Sequence, residues 1–538
     1  MLSIASAIPH KFFSSVIAAA LLAACSWDGS EDPGVSLTQS LQAKVQTIVV
    51  IYAENQSFDK LYGTFPGANG TPGVNASAAG TLITQKDRDA GSTVLAKLPQ
   101  TWGNVTAAGQ LPVVTQAQSA NLANKPFSIE SAFGTTLSVM TITRDLYHRF
   151  FEEQMQINGG TNDKFAAYAD SGGLVMGNFD GSQMAMWNIA KQYTLADNFF
   201  QAAYGGSFLN HQYLICACAP EYPNADTAAA KPTIAVLDTD ATGKALPKLT
   251  LAASTPASAL DGPPVFVNSG NIVPKNYFGD NTFRAVNTMQ PAYQPSGNAS
   301  IVNGDQNLAD PTKPTTLPPQ TATTIGDLLT ASNATWAWYA GAWTQASNDR
   351  TVIYNNTVPN FQAHHQPFNY FANFAPGTAA RSAHLKDYTD FIAAAKAGTL
   401  PQVVFYKPEG DLNQHPGYAS VKAGDDHIAN VIAQLQASPQ WNNMVIIVTY
   451  DENGGAWDHV VAPKGDLLGP GNRIPAIIVS PLAKKGIVDH TQYDTASIIR
   501  LITRRFGLPM LPGLAARDTA LKAAGGQPMG DLTEGLNL

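Results

Sequence analysis

The stretch TIVVIYAENQSFD, residues 47–59, decides how this chain is read. Residues 47–52 form a continuous apolar run rich in β-branched side chains, the composition of a strand covered on both faces in a parallel sheet. The run ends at an acid and an amide, Glu54 and Asn55, and a turn-prone segment follows through residue 70. Three other runs share its character: VVFY at 403–406, MVIIVTY at 444–450 and AIIVS at 476–480. Between the first two of these, HIANVIAQL at 427–435 spaces its apolar residues for a helix, behind the acids Asp425 and Asp426 that suit a helix N-terminus. This alternation predicts an α/β fold, a large and mostly parallel sheet sandwiched by helices.

The bulk numbers set wider bounds. A chain of 538 residues admits roughly two to four domains, or one large core with insertions. A net charge of -8 with 13% charged residues, and no dense Lys/Arg run, offers no track for a phosphate backbone. Nucleic acid is therefore not an expected partner, and no feature of the sequence sets an oligomeric state.

At the N-terminus, Lys11 precedes an apolar segment at 12–24, and Leu22-Ala23-Ala24-Cys25 places small residues before a cysteine. Residues 1–25 read as an export signal, too short for a comfortable membrane span. Its end resembles a bacterial lipobox, with Cys25 as the lipid-bearing first residue of the mature chain and Ser26 after it pointing to the outer membrane. Ordinary secretion or a periplasmic location is the alternative. Residues 26–44 are expected to be a flexible tether, polar at first and too poor in apolar surface to fold. The core spans 45–515, with an irregular insertion at about 221–320 in which Val265, Phe266, Val267, Tyr277, Phe278 and Tyr293 are expected to pack. Residues 516–538 read as a C-terminal tail, loosely packed after Asp518. Cys216 and Cys218 flank only Ala217, a loop short enough to strain a bridge, so two buried free thiols are expected.

Glu54 and Asn55 follow one buried strand; Asp451, Glu452 and Asn453 follow another. In open α/β sheets ligands sit in the crevice beyond the carboxyl ends of the strands, so the two clusters converge if their strands are neighbours. Three carboxylates at one point repel unless a cation neutralises them, and a hard divalent metal suits that place. The plainer reading has Glu54 capping a turn and Asp451 a helix. Ser207 stands behind Gly205 and Gly206, where a tight turn would let its hydroxyl meet a ligand at a helix N-terminus, or where it simply caps the helix. A serine hydroxyl becomes a nucleophile only when its proton is removed or its alkoxide is bound, and a metal on Glu54, Asn55, Asp451 and Glu452 would do that. Among the histidines, His148, His211, His427, His459 and the adjacent pair His364-His365 are candidates to bind a phosphoryl group as imidazolium at mildly acidic pH.

Several segments together resemble the bacterial family of acid phosphatases and phospholipases C. They are Glu54-Asn55-Gln56-Ser57-Phe58-Asp59 with Gly63-Thr64-Phe65-Pro66-Gly67, then Gly206-Ser207-Phe208-Leu209-Asn210-His211, then Asp451-Glu452-Asn453-Gly454-Gly455 through Trp457-Asp458-His459. Arg473-Ile474-Pro475 and the residues after it continue the likeness, which runs in order from about 45 to 515. It implies a core similar to the alkaline phosphatase superfamily, with one divalent metal (Ca, Mg, Mn or Zn) on Glu54, Asn55, Ser207, Asp451 and Glu452. It also implies Ser207 as nucleophile, and His148, His364, His365 and His427 as residues of the phosphate pocket. The phospholipase branch carries threonine in a Gly-Pro-Thr-Asn-Pro setting that is absent here. Ser207-Phe208-Leu209-Asn210-His211 and His364-His365-Gln366-Pro367-Phe368 are similar to the phosphatase branch. The expected activity is that of an exported acid phosphatase acting on phosphate monoesters through a phosphoserine. Phospholipase C chemistry is the alternative, and a non-catalytic surface binding protein on the same scaffold is a third reading.

Overall fold

A computed structural model describes residues 33–71, 83–134, 137–313 and 315–538. The expected signal segment and Cys25 lie outside them. Eight strands make the central sheet: β1 Thr47–Ala53, β2 Thr194–Ala196, β3 Trp336–Ala340, β4 Leu385–Asp387, β5 Val403–Lys407, β6 Met444–Tyr450, β7 Ala476–Val479 and β8 Ile487–Asp489. Their order is β4-β3-β5-β1-β6-β7-β2-β8. All neighbours run parallel except β7, which is antiparallel to both β6 and β2. Every residue of β1 and β6 is buried, as expected of apolar runs covered on both faces.

The longer helices among the described residues are α1 Pro33–Lys44, α2 Ser207–Cys216, α3 Tyr388–Ala397, α4 Val421–Gln436, α5 Ala496–Phe506 and α6 Pro512–Ala523. Strand register assigns them to faces. Ile51 on β1 lies opposite Tyr406 on β5, so Tyr52 points to the other side of the sheet from Tyr406. The Tyr52 hydroxyl donates to Asn210 O of α2 at 3.3 Å, whereas Tyr406 stacks on Tyr388 of α3 and bonds His427 of α4. Helices α3 and α4 thus cover one face, and α2, which packs on α5, covers the other.

Several expectations change. The segment read as a tether is helical from residue 33, and α1 is anchored by buried Leu41 and by Arg504 of α5, whose Nε donates to Thr38 Oγ1 at 2.9 Å. The C-terminal tail is packed: Arg517, Leu521, Leu532 and Leu536 are buried, and Arg517 pairs with Asp466 and Asp494. The insertion folds around short ribbons, Leu237–Thr239 on Ala245–Leu249 and Ile272–Val273 on Arg284–Ala285. Tyr277 packs as expected, but Val265 and Val267 are 41% and 53% exposed. Cys216 and Cys218 form a disulfide, against the expectation of free thiols. Ala217 caps α2 in the left-handed conformation, φ 49° and ψ 40°, which folds the chain back and brings the two Cα atoms to 5.1 Å, inside the range a bridge requires.

Candidate active site

Strand pairing sets the two acidic corners side by side. Ala53 lies opposite Tyr450, so Glu54 and Asp451 are the first residues beyond two adjacent parallel strands. The Asp451 N–H donates to Ala53 O at 3.1 Å. Glu54, Asn55, Asp451 and Glu452 are all fully buried. Ser207 joins them from the start of α2, its Oγ donating to Glu452 Oε1 at 3.5 Å. Gly206 is the N-cap and Ser207 the first residue of the helix, so the capping role is not the one the serine has.

Glu54 is the most heavily contacted of these acids. Its Oε1 lies 2.6 Å from Lys407 Nζ, 3.2 Å from His365 Nε2 and 3.4 Å from His364 Nε2. Asn413 and Tyr418 donate to its Oε2, each at 3.0 Å. Burial would push the Glu54 carboxyl up, but Lys407, His365 and His364 together hold it well below the usual range. The opposite holds for the other two acids. Burial and the charge of Glu54 push Asp451 well up, and burial and the charge of Asp451 do the same to Glu452.

The orphaned atoms test whether a cation fits. Both side-chain atoms of Asn55, Asp451 Oδ2, and Nε2 of His211 and His365 are buried without hydrogen-bond partners. A buried polar atom left unpaired is costly, and these lie beside Asp451 and Glu452, whose carboxyls burial and neighbouring carboxylate charge push well up. Ligating atoms of Glu54, His211 and Asp451 lie within 4.8 Å of one another. Acid and imidazole groups here can hold a metal ion.

A cavity of about 500 Å³ opens above Ser207, bounded by His148, Arg149, Thr288, Met289, His415 and Tyr418 among others. His148 Nε2 is 3.7 Å from Glu452 Oε1 and its Nδ1 is 3.6 Å from Asp145. His364 and His365 sit deeper, on Glu54. His427 is not brought to the cluster: it shares a 2.6 Å hydrogen bond with Tyr406 and packs on Tyr388, on the face opposite α2. His459 belongs to a separate buried network with Asp59. The expected imidazolium is also opposed, because burial pulls His148, His211 and His364 down and takes His365 to about 3. The sequence reading missed Lys407, Asn413, His415 and Tyr418. A charged residue directly after the apolar run 403–406, and the His-Pro-Gly turn at 415–417, were the signals for them.

A model of the Phosphoesterase family matches residues 45–509. The chain belongs to that family. Curated relatives of this phosphoesterase include Phospholipase C B of Mycobacterium tuberculosis, 29% identical over 235 residues that cover 39% of this chain and 42% of the relative. Non-hemolytic phospholipase C of Pseudomonas aeruginosa is 30% identical over 26% of this chain and 24% of its own. Non-specific phospholipase C1 of Arabidopsis thaliana is 33% identical over 18% and 22%. The alignments thus span less than half the length of these relatives. Among solved structures, an alkaline phosphatase superfamily protein from Vibrio parahaemolyticus aligns over 69% of this chain and 67% of its own, at 9% identity and a TM-score of 0.30.

Proposed function

We propose that this phosphoesterase is a metal-dependent phosphomonoesterase that uses Ser207 as its nucleophile. The observation that carries the reading is the placing of Ser207 Oγ, on the floor of a solvent-reaching cavity and 3.5 Å from Glu452, beside the buried acids Asp451 and Glu452 and the buried, unpaired side-chain amide of Asn55. Glu54, Asn55, Ser207, Asp451 and Glu452 would hold the ion. Their oxygen donors suit Ca, Mg or Mn, and zinc also accepts carboxylates. Bound there, a divalent ion supplies a stabilised serine alkoxide and charge neutralisation at the phosphoryl oxygens.

The chain's own groups do the rest. Ser207 Oγ, its proton lost to solvent, attacks phosphorus in line, the bond to the leaving oxygen breaks, and a phosphoserine forms. His148 lies at the cavity wall within reach of both Glu452 and Asp145 and is placed to give the leaving alkoxide its proton. A phosphate anion in the cavity raises the pKa of that imidazole and offsets the effect of burial. Water then cleaves the phosphoserine with the same groups in reversed roles. The test is metal analysis of the purified protein together with hydrolysis of an aryl phosphate across pH 4 to 8. Metal-free protein of full activity, or no phosphate release, would refute the reading.

The names of the curated relatives favour a second reading, phospholipase C cleavage of a phospholipid diester at the same serine. Release of phosphocholine from phosphatidylcholine faster than phosphate from the aryl ester would establish it. If Ser207→Ala and Asp451→Ala both left hydrolysis unchanged, the measured hydrolysis would not come from this site, and the reading of a surface binding protein on the same scaffold would gain ground. Among the described residues no helix is long and apolar enough to cross a membrane. Export through residues 1–25, with a lipid on Cys25, is checked by the mass of the mature N-terminal peptide.

A further inference from the structure

Lys407 lies at the floor of this site, and nothing in the proposed phosphoryl-transfer scheme requires it. It ends β5 and is fully buried. Its Nζ pairs with Glu54 Oε1 at 2.6 Å and lies 5.7 Å from the centre of the Tyr52 ring, and among the described residues no other acceptor answers it. A lysine taken this far from water is normally answered by several acceptors; this one faces a single carboxylate oxygen. On that same oxygen converge His364 Nε2 at 3.4 Å and His365 Nε2 at 3.2 Å. Ligating atoms of Glu54, His364 and His365 lie within 4.8 Å of one another, and His365 Nε2 is buried and unpartnered. One carboxylate and two imidazoles are the donor set that zinc and its first-row neighbours take.

We propose that Lys407 is a built-in cation that fills the place a second metal ion would take at Glu54, His364 and His365, and so limits the site to one divalent ion. The inference rests on the proposed metal site beside Ser207. Charge supports the count. Glu54, Asp451 and Glu452 bring three negative charges in the metal-bound state; the ammonium cancels one, and one divalent ion cancels the other two. A second divalent ion would leave a buried excess of positive charge and would meet the ammonium at Glu54 Oε1, where two cations repel. Lys407 is therefore a positioning residue: it seats Glu54 and sets metal stoichiometry without touching the reacting phosphoryl group.

The experiment is a zinc titration of metal-stripped protein, read as bound equivalents by equilibrium dialysis and elemental mass spectrometry. It uses wild type, Lys407→Arg, Lys407→Met and Lys407→Met with His365→Gln. The expected tight equivalents are one, one, two and one, with the second zinc bound at least 100-fold more tightly by K407M than by wild type. Retention of one equivalent by K407R separates the role of the charge from that of packing. Two tight equivalents in wild type overturn the inference while leaving the metal reading intact, and so does a folded K407M that takes up only one. No zinc in wild type overturns the inference, and if calcium, magnesium and manganese also fail to bind in the same dialysis, the metal reading falls with it. If K407M does not fold, the wild-type titration decides alone, with one equivalent supporting the inference and two refuting it.

Discussion

Replacing Arg473 by methionine tests how the two acidic corners are kept together. Arg473 is fully buried. Its Nε donates to Asp458 Oδ1 at 3.0 Å, its Nη2 to Asp59 Oδ1 at 2.9 Å, and its Nη1 to the carbonyls of Asn69 and Asp197, each at 2.8 Å. Asp59 lies just beyond Glu54-Asn55, and Asp458 just beyond Asp451-Glu452. The Asp59 N–H also donates to Asp458 Oδ2 at 3.0 Å, so one guanidinium ties the loops that carry the site. Removing one partner of a buried ion network costs about 3 to 5 kcal/mol, because the remaining charges stay desolvated. Unfolding entropy of about 2.1 cal/mol/K per residue over roughly 500 ordered residues gives about 1 kcal/mol/K, so the Tm should fall by about 4 °C. Burial already pushes Asp458 up to about 6 against the pull of Arg473. Without the arginine, Asp458 takes up a proton more readily, so the loss should be larger at pH 8 than at pH 6. Scanning calorimetry at one fixed scan rate measures both, and a second change, Asp458→Asn, should recover part of the loss. A shift under about 1 °C at both pH values would show that the network does not hold the corners.

Four further outcomes are expected. Ser207→Ala should lower phosphate-ester hydrolysis by about 10⁴-fold or more with Tm unchanged within about 1 °C, since Gly206 and not Ser207 is the cap; retained turnover would reassign the nucleophile. Burial pulls His427 down to about 4, so its contribution to stability is present above its unfolded value near 6.5 and is lost as pH falls through that range toward 4. At pH 5 the loss is about 2 kcal/mol relative to pH 7, and denaturant titrations at the two pH values should show it absent in His427→Gln. Reducing the Cys216–Cys218 bridge, which closes a loop over Ala217 alone, should remove under about 2 kcal/mol on loop-entropy grounds and leave kcat unchanged; a larger loss by calorimetry would contradict this. A Cβ at position 206 would lie 2.1 Å from Thr288 Cγ2 and 2.9 Å from its Cα, so Gly206→Ala should lower kcat about tenfold or more by displacing Ser207, and an unchanged kcat would refute the contact.

Burial explains what the sequence disclosed. Strands β1, β5, β6 and β7 are buried along their whole length, and full burial writes itself as an uninterrupted apolar run. The strands Thr194–Ala196, Leu385–Asp387 and Ile487–Asp489 have three residues each, too few for any period to show. The reversed direction of β7 left no trace, because an apolar run reads alike in a parallel or an antiparallel pairing. The bridge at 216–218 depends on a left-handed alanine, a conformation no residue type there announces. Glu54, Asn55, Asp451 and Glu452 were legible because acids and amides at the ends of apolar runs are conspicuous. Lys407 sits at the same kind of strand end, yet a search for acids passes over it, although its charge is what makes the arrangement of Glu54 intelligible. His427 misled for the converse reason: α4 begins earlier than expected, at Val421 behind the cap Ser420, with no acid in its first turn, so Asp425, Asp426 and His427 lie inside the helix, which carries all three away from the site.

The placing of the insertion bears on how specificity arises. The Phe208 N–H, in the first turn of α2, donates to Thr288 O at 2.9 Å, and the Thr288 side chain fills the space over Gly206. Thr288 and Met289 also line the cavity above Ser207. The segment that lines the cavity is therefore also part of the seat of Ser207. A change of substrate from monoester to diester that kept Ser207 in place would have to come from groups on the outer wall that do not touch α2. Met289, 46% exposed, lines the cavity, as do Tyr354 and Asn356. The strand ends beneath, which carry Glu54 and Asp451, are buried and paired in register.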